Sequence, residues 1–273
     1  MYRLENLRKV FNGDLVAVDD VSMKVDHGEQ VAVIGPSGAG KTTLFRLLNL
    51  TLYPDGGRLW LGDLDVSRLH GRGLRAARRR IGTIYQQHNL VPRLPVVHNV
   101  LAGRLGAWSG WQAVWSLFRP QELDAAHAAL TQVGIPEKLY ARTDELSGGQ
   151  QQRVAIARLL VQEPEIILAD EPVASVDPNL AHAIVKLLVE ISRTSGKTLV
   201  MSLHSVELAL AYFPRIIGFR GGKIEFDRPP VDVTEEMLGR LYAGISRSEA
   251  EEAGIHHAHD SPLICYGPLF PRK

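Results

Sequence analysis

Two stretches of this chain have the residue types and spacing to hold phosphate. The first is Gly35-Pro36-Ser37-Gly38-Ala39-Gly40-Lys41-Thr42-Thr43, set between the apolar run Val31-Ala32-Val33-Ile34 and the helical pattern Leu44-Phe45-Arg46-Leu47-Leu48. A strand that ends in Gly-x-x-x-x-Gly-Lys-Thr and turns into a helix is a P-loop. Its glycines let the backbone approach phosphate oxygens closely. The amides of Gly38, Ala39, Gly40, Lys41 and Thr42 converge on those oxygens at the positive end of the following helix. Lys41 offers a point charge to the β- and γ-phosphates, and the Thr42 hydroxyl offers a ligand to Mg²⁺. A chance Gly-rich turn is the bland alternative; a strand before and a helix after leave it little room.

The second stretch is Leu146-Ser147-Gly148-Gly149-Gln150, which opens the helical run Gln151-Gln152-Arg153-Val154-Ala155-Ile156-Ala157-Arg158. Ser147 is a good N-cap, and Gly148 and Gly149 leave the first amides of the helix unobstructed. Alone this describes a capped helix. Far along the chain from the P-loop, it is a candidate anion site for a second chain, so that one nucleotide is clasped between two surfaces.

Acids and polar side chains at strand ends complete a hydrolytic set. The apolar strand Ile166-Ile167-Leu168-Ala169 ends in Asp170-Glu171-Pro172. Asp170 is placed to support Mg²⁺, and Glu171 to orient and deprotonate an attacking water. Pro172 cannot continue a ladder and stops the strand there. His204 leaves the strand Thr198-Leu199-Val200-Met201-Ser202-Leu203; it is a candidate γ-phosphate sensor, since imidazole both donates and accepts. Gln86 follows the strand Ile81-Gly82-Thr83-Ile84-Tyr85 and could touch Mg²⁺ or the water. Gln87 is adjacent, and spacing does not choose between them.

These groups need a scaffold of alternating strands and helices. The first thirty residues read as short strands with turns at Asn12-Gly13-Asp14 and Asp26-His27-Gly28. Buried strands are expected at 31–34, 166–169 and 198–203, further strands at 58–61 and 81–85, and helices at 41–50 and 181–194. Helical periodicity dominates from Val96 to Leu160. The pattern predicts a parallel α/β core with a helical insertion.

Length and composition agree with this. The chain has 273 residues, net charge +1 and one cysteine, Cys265. No disulfide framework is possible, which suits a reducing compartment, and the charge balance gives no reason to expect nucleic acid. The opening Met1-Tyr2-Arg3-Leu4-Glu5 does not read as a signal peptide. No uninterrupted apolar run is long enough to span a bilayer, so a membrane role must come through a partner.

Taken in order, Gly35 to Thr43, Gln86, Leu146 to Gln150, Ile166 to Glu171 and His204 resemble an ABC-family ATPase subunit from about residue 1 to 245. The resemblance implies a P-loop, RecA-like core with an antiparallel β subdomain and a helical subdomain at about 88–160, followed by a flexible tail at 246–273. It implies ATP and Mg²⁺ as cofactors, and a head-to-tail homodimer that holds ATP between the Walker residues of one chain and Ser147, Gly148, Gly149 and Gln150 of the other. Phe11, in Lys9-Val10-Phe11-Asn12-Gly13, resembles the aromatic that stacks on adenine; a core phenylalanine is the alternative. Asp177 resembles the aspartate of the loop at the dimer interface, with Val176 in place of the usual leucine. Gln86, rather than Gln87, matches the family glutamine, as a Mg²⁺ or water contact.

A finer resemblance is to the ATPases of phosphonate importers. It rests on Gln86-Gln87-His88-Asn89-Leu90-Val91, Asn99-Val100-Leu101-Ala102-Gly103-Arg104-Leu105-Gly106, Ile167 to Ser175, and Val233 to Tyr242. It implies integral-membrane permease subunits and a solute-binding protein as partners, and a peripheral place on the cytoplasmic face of the inner membrane. An importer of another small solute, such as an amino acid, and a soluble non-transport ABC ATPase are the alternatives. Three further features read blandly. Trp108, Trp111 and Trp115 are expected to pack in a core or between helices, with a face toward a membrane partner as the alternative. The arginines from 68 to 80 are expected on a solvated helix face. His256, His257 and His259 are expected in the tail rather than at a metal.

Overall fold

The computed structural model describes residues 1–244 apart from His88 and Ser175, and for Leu117 and Phe118 the backbone alone. The stretch from 245 onward, with Cys265 and the histidines at 256–259, lies outside the described residues.

The N-terminal part is a hairpin of two long strands, β1 (Tyr2–Phe11) and β2 (Leu15–Val25), followed by β3 (Gln30–Ile34). The short strands expected here are ten and eleven residues long. Their alternation is broken by register shifts at Leu4/Leu7, Leu7/Lys9 and Lys9/Val10, so period-2 counting cuts each strand short. Helix α1 (Lys41–Leu48) leads to β4 (Gly56–Leu61), β5 (Leu64–Asp65), α2 (Gly71–Arg79) and β6 (Ile81–Ile84). A helical segment follows: α3 (Val96–Leu101), α4 (Gly110–Phe118), α5 (Leu123–Gln132) and α6 (Gly148–Gln162). The chain then runs through β7 (Ile166–Asp170), α7 (Pro178–Thr194), β8 (Thr198–Leu203), α8 (Val206–Tyr212), β9 (Arg215–Arg220), β10 (Lys223–Arg228) and α9 (Glu235–Leu241).

Among the described residues these strands form two sheets. One is antiparallel, in the order β2-β1-β4-β5. The other has six strands in the order β10-β9-β3-β8-β7-β6, parallel from β9 to β6, with β10 antiparallel at its edge. Strands β3, β7 and β8 are buried along their whole length, which is why they read as unbroken apolar runs. Their side chains still alternate between two cores. Ala32, Ile34, Ile167, Ala169, Leu199 and Met201 face the core shared with the helical segment, α7 and α8. Val31, Val33, Ile166, Leu168 and Val200 face the core shared with α1 and the antiparallel sheet. The parallel sheet is therefore the middle of three layers, and the carboxyl ends of β3, β7 and β8 open on one edge, where ligands bind in open α/β sheets.

The arginine-rich helix behaves as expected: Arg72, Arg75, Arg78 and Arg79 are exposed and Ala77 turns inward. The tryptophans divide. Trp108 packs against the core and its indole N–H donates to Glu122 at 3.1 Å. Trp111 and Trp115 do not pack inward; they are 75% and 46% exposed and stack on each other at 6.4 Å. The reason is the rotation of α4, which buries Ser116 and leaves the two indoles on the outer face. No helix of the described residues is long and apolar enough to cross a membrane.

Candidate functional site: a P-loop beside paired strand-end acids

The P-loop leaves β3 and turns into α1 at Gly40, whose φ of 101° is the left-handed conformation that glycine adopts without strain. A Cβ there would also lie 2.1 Å from the Ala17 carbonyl oxygen of β2, so the loop closes on the antiparallel sheet only with glycine. Lys41 is 3% exposed. Its ammonium donates to the carbonyls of Gly35 at 2.7 Å and Pro36 at 3.1 Å, and lies 3.7 Å from Glu171. Burial pushes its pKa down, and the carboxylates of Glu171 and Asp170 work against that. Ser37, Gly38 and Thr42 are exposed along the loop, with Thr43 half-buried and Ala39 buried.

Asp170 and Glu171 end β7 as expected. The Asp170 carboxylate accepts from the Ser202 hydroxyl at 2.8 Å. Burial pushes its pKa up and the Glu171 charge adds to this, while Ser202, Thr42 and Lys41 hold it down. The buried Asp170 carboxylate and the Thr42 hydroxyl beside it are a pair of hard oxygen donors, with the Glu171 carboxylate next to them. That set fits Mg²⁺, which takes one or two protein ligands and completes its shell with water and phosphate oxygens. The described residues hold no group of three His, Cys, Asp or Glu suited to a metal on its own, so such an ion would need the phosphates.

Glu171 has φ 49°, a left-handed conformation that a non-glycine residue adopts at a cost of about 1–3 kcal/mol. Its surroundings hold it there. Its N–H donates to the Ser202 hydroxyl at 2.8 Å, and one carboxylate oxygen lies 2.8 Å from His204 Nε2. Burial pushes the Glu171 carboxyl up, but the His204 hydrogen bond and charge, with Lys41, outweigh it and leave the pKa below the usual range. The turn aims the carboxylate away from the strand, between Lys41 and His204.

Ser202 escaped the sequence reading. It sits opposite Asp170 in the β7–β8 register and bonds both the Asp170 side chain and the Glu171 backbone. The available signal was a hydroxyl near the end of a mostly apolar strand, beside one that ends in two acids.

The other expected residues lie apart from this cluster. Register Ile84↔Ala169 sets Gln86 beyond the same strand ends as Asp170 and Glu171. Gln86 and Gln87 both line a cleft of about 560 Å³ that also touches Leu90, Pro92, Thr143 and Gln151. Phe11, at the end of β1, is half-buried and belongs to neither core, with the Lys9 ammonium 5.6 Å from its ring centre. It is thus no core phenylalanine.

Ser147 caps α6. Its hydroxyl accepts from the Gln150 N–H at 3.3 Å, and the Gln150 side chain accepts from the Ser147 N–H at 3.1 Å, a capping box. Gly149 packs against Leu180 so closely that a Cβ would lie 2.5 Å from Leu180 Cδ2. Asp177 caps α7, accepting from the Leu180 N–H at 3.0 Å, so the two helix starts lie together. Ser147 and Gly148 are exposed. Among the described residues no hydrogen bond or ion pair joins Ser147–Gln150 to the P-loop of the same chain.

Comparison with known proteins places this geometry. Residues 18–174 match the ABC transporter family. A protein of Pseudomonas putida named phosphonates import ATP-binding protein PhnC is 45% identical over 232 residues, 85% of this chain and 86% of that protein. Its namesake from Wolinella succinogenes is 40% identical over 269 residues, 97% of each chain. Among solved structures, a dimeric ATP-binding cassette in a post-hydrolysis state with ADP and phosphate superposes with a TM-score of 0.70 at 30% identity, covering 84% of this chain and 99% of that one. The cassette cbiO1 of Clostridium perfringens superposes at 0.74 with 27% identity, covering 92% and 97%. The matched residues span the P-loop, the paired acids at the β7 end and the capped Ser147 helix, and this chain belongs to the ABC transporter family.

Proposed function

We propose that this chain is the ATP-hydrolysing subunit of an importer for phosphonate or a related phosphorus compound. The hydrolytic part rests on one observation above the others: Glu171, held in a left-handed turn, lies 2.8 Å from His204 and 3.7 Å from Lys41. The solute rests on identity of 40–45% over most of the chain to proteins named for phosphonate import.

Residues 1–245 act as the ATPase unit, with the segment at about 88–160 as its helical subdomain. Phe11 stacks on adenine. The P-loop amides and Lys41 bind the phosphates, Lys41 exchanging the Gly35 and Pro36 carbonyls for phosphate oxygens. Thr42 and Asp170, with Gln86, would hold Mg²⁺, which would supply charge neutralisation at the phosphates. Glu171 accepts the proton of the attacking water as its oxygen bonds to the γ-phosphorus and the bond to the β-phosphate oxygen breaks, giving ADP and phosphate. His204 holds the Glu171 carboxylate and reads the γ-phosphate.

The second half of the site comes from another copy of the chain. Ser147 and Gly149 offer a capped helix start that the chain's own P-loop leaves unused, and Asp177 lies beside it. ATP closes the pair and hydrolysis reopens it. That motion drives permease subunits docked at the cleft by Gln86, on the cytoplasmic face of the membrane, and a solute-binding protein delivers the solute from the other side.

The clasp is tested by cysteines at Ser37→Cys and Gly148→Cys in a Cys265→Ala chain. Gly148 suits the purpose because a Cβ there meets nothing within 4 Å and the Ser147 cap stays intact. ATP is expected to promote a disulfide between chains, and ADP to suppress it; no inter-chain disulfide with ATP refutes the clasp. Solute identity is tested in the reconstituted importer, where methylphosphonate should stimulate turnover and amino acids should not.

A further inference from the structure

The loop after Gln86 is fastened to the turn before Ser147 by a buried side-chain pair, Asn99 and Thr143, which are 2% and 1% exposed. The Asn99 carbonyl oxygen accepts from the Val91 N–H at 2.8 Å, and its amide donates to the Val91 carbonyl at 3.0 Å and to the Thr143 hydroxyl at 2.8 Å. A flipped amide would face the Val91 N–H with a donor, so Val91 itself fixes the orientation. The Thr143 hydroxyl passes the bond on, donating to the Leu94 carbonyl at 2.8 Å. Backbone bonds run beside it, from Thr143 N–H to Leu94 and from Asp144 N–H to Pro92. On the far side the Gln151 amide, in the first turn of α6, donates to the carbonyls of Thr143 at 3.3 Å and Leu146 at 3.1 Å.

Every polar group of the Asn99 side chain is thus used, in a place where a lost partner leaves a buried group without water. Val91 lies five residues after Gln86, and Leu146 immediately precedes Ser147. The cleft beside Gln86 is lined by Thr143 and Gln151 as well as by Leu90 and Pro92, so both loops form its wall. A displacement of the 89–94 loop must either carry the 143–146 turn with it or break buried hydrogen bonds.

We infer that Asn99 and Thr143 are positioning residues that transmit the position of the Gln86 loop to the Ser147 helix, so that each chain presents its helix start to the partner's ATP only when its own loop is seated. This rests on the reading that ATP is clasped between two chains. The bonds of the Asn99 and Thr143 side chains go to Val91, Leu94 and each other, not to the P-loop or the strand-end acids, so the pair acts through Val91 and Leu146.

The test uses the full chain with the cysteines at Ser37 and Gly148, and the variants Asn99→Ala, Thr143→Val and Thr143→Ser. Fluorescent ATP binding in dilute protein reports the P-loop half-site. ATP-dependent disulfide formation and turnover report the completed site. Both are read well below the melting temperature of each variant, so that loss of fold is not scored as loss of coupling. With Asn99→Ala and Thr143→Val, half-site affinity is expected to stay within about twofold, while turnover and disulfide formation fall about tenfold, a typical coupling between sites. Thr143→Ser, which keeps the hydroxyl, should restore both. The Asn99→Ala/Thr143→Val double variant should be no worse than the poorer single one, because both remove one connection. Parental turnover and disulfide formation in both single variants would overturn the inference. So would losses that add in the double variant or that half-site affinity shares in equal measure. If the parental cysteine chain forms no disulfide with ATP, the clasp itself fails, and the inference falls with it for that separate reason.

Discussion

In the proposed hydrolysis the chemistry turns on Glu171, and its backbone sets where the carboxylate lies. An acid at the end of a parallel strand would ordinarily continue along the sheet edge. Here φ 49° swings the carboxylate toward Lys41 and His204, and Ser202 holds the turn through the Glu171 N–H. Glu171→Gln keeps the shape of the side chain and the Ser202 bond but removes the site that takes a proton. Turnover should fall by about 10²–10⁴, the range for loss of a general base, while nucleotide affinity stays near the parental value. A purified variant that turns over ATP at the parental rate would remove Glu171 from the role of base.

At the scale of elements, β6 and β7 are joined at their amino ends by a strap. The Arg80 guanidinium meets the Glu165 carboxylate through two hydrogen bonds at 2.9 and 2.7 Å, and the Arg80 carbonyl accepts from the N–H groups of Glu165 and Ile166. The Arg80 hydrogen bond holds the Glu165 pKa below its usual value, with burial opposing it. A depressed carboxylate stabilises the fold above its unfolded pKa, and that contribution disappears as pH falls through the folded pKa. Arg80→Met should therefore lower Tm at pH 7, and that loss should shrink as pH falls below about 4 and vanish once Glu165 is protonated in the folded chain. The pair is partly exposed, so its worth is screened to under about 1 kcal/mol, a shift of about 2–4 °C at most in a chain of this size. Thermal melts of parent and variant at the two pH values decide it; an equal loss at both would assign the effect to packing of the Arg80 stem.

At the scale of the molecule, the proposed shared site makes a prediction that a self-contained ATPase does not. Gly148 is exposed at the first turn of α6, with open space for a side chain. Gly148→Asp puts a carboxylate at a helix start, where the dipole favours it by about 0.3–1 kcal/mol, so the folded chain should lose no stability. The same carboxylate would stand where the partner's γ-phosphate must approach. Turnover and ATP-dependent dimerisation should fall at least about tenfold while the isolated chain still binds ATP through Lys41 and Thr42. Light scattering with ATP and Mg²⁺ measures the dimer, and an unchanged dimer would sink the shared site. Gly149→Asp is a poorer probe, because its Cβ would first displace Leu180 within the same chain.

The sequence by itself determined the parts whose physics is local. Glycine spacing before Lys41 specifies a loop that only a P-loop geometry satisfies, and four apolar residues before Asp170 specify a strand buried on both faces. Ser147 and Gln150, three apart, specify a capping box with no help from the rest of the fold. What it left open depends on partners distant in the chain. Ser202 joins the site because the β8 register sets it against Asp170, and Glu171 owes its left-handed turn to that same hydroxyl. The long hairpin strands were hidden by register shifts, and the outward face of Trp111 and Trp115 by the rotation of α4. The Asn99–Thr143 pair spans forty-four residues and shows in the sequence only as an asparagine in an apolar helix. Composition and periodicity report what a residue is and which face of its own element it occupies. Which buried polar groups meet is decided by strand register and helix rotation, and these are set by the packed core as a whole.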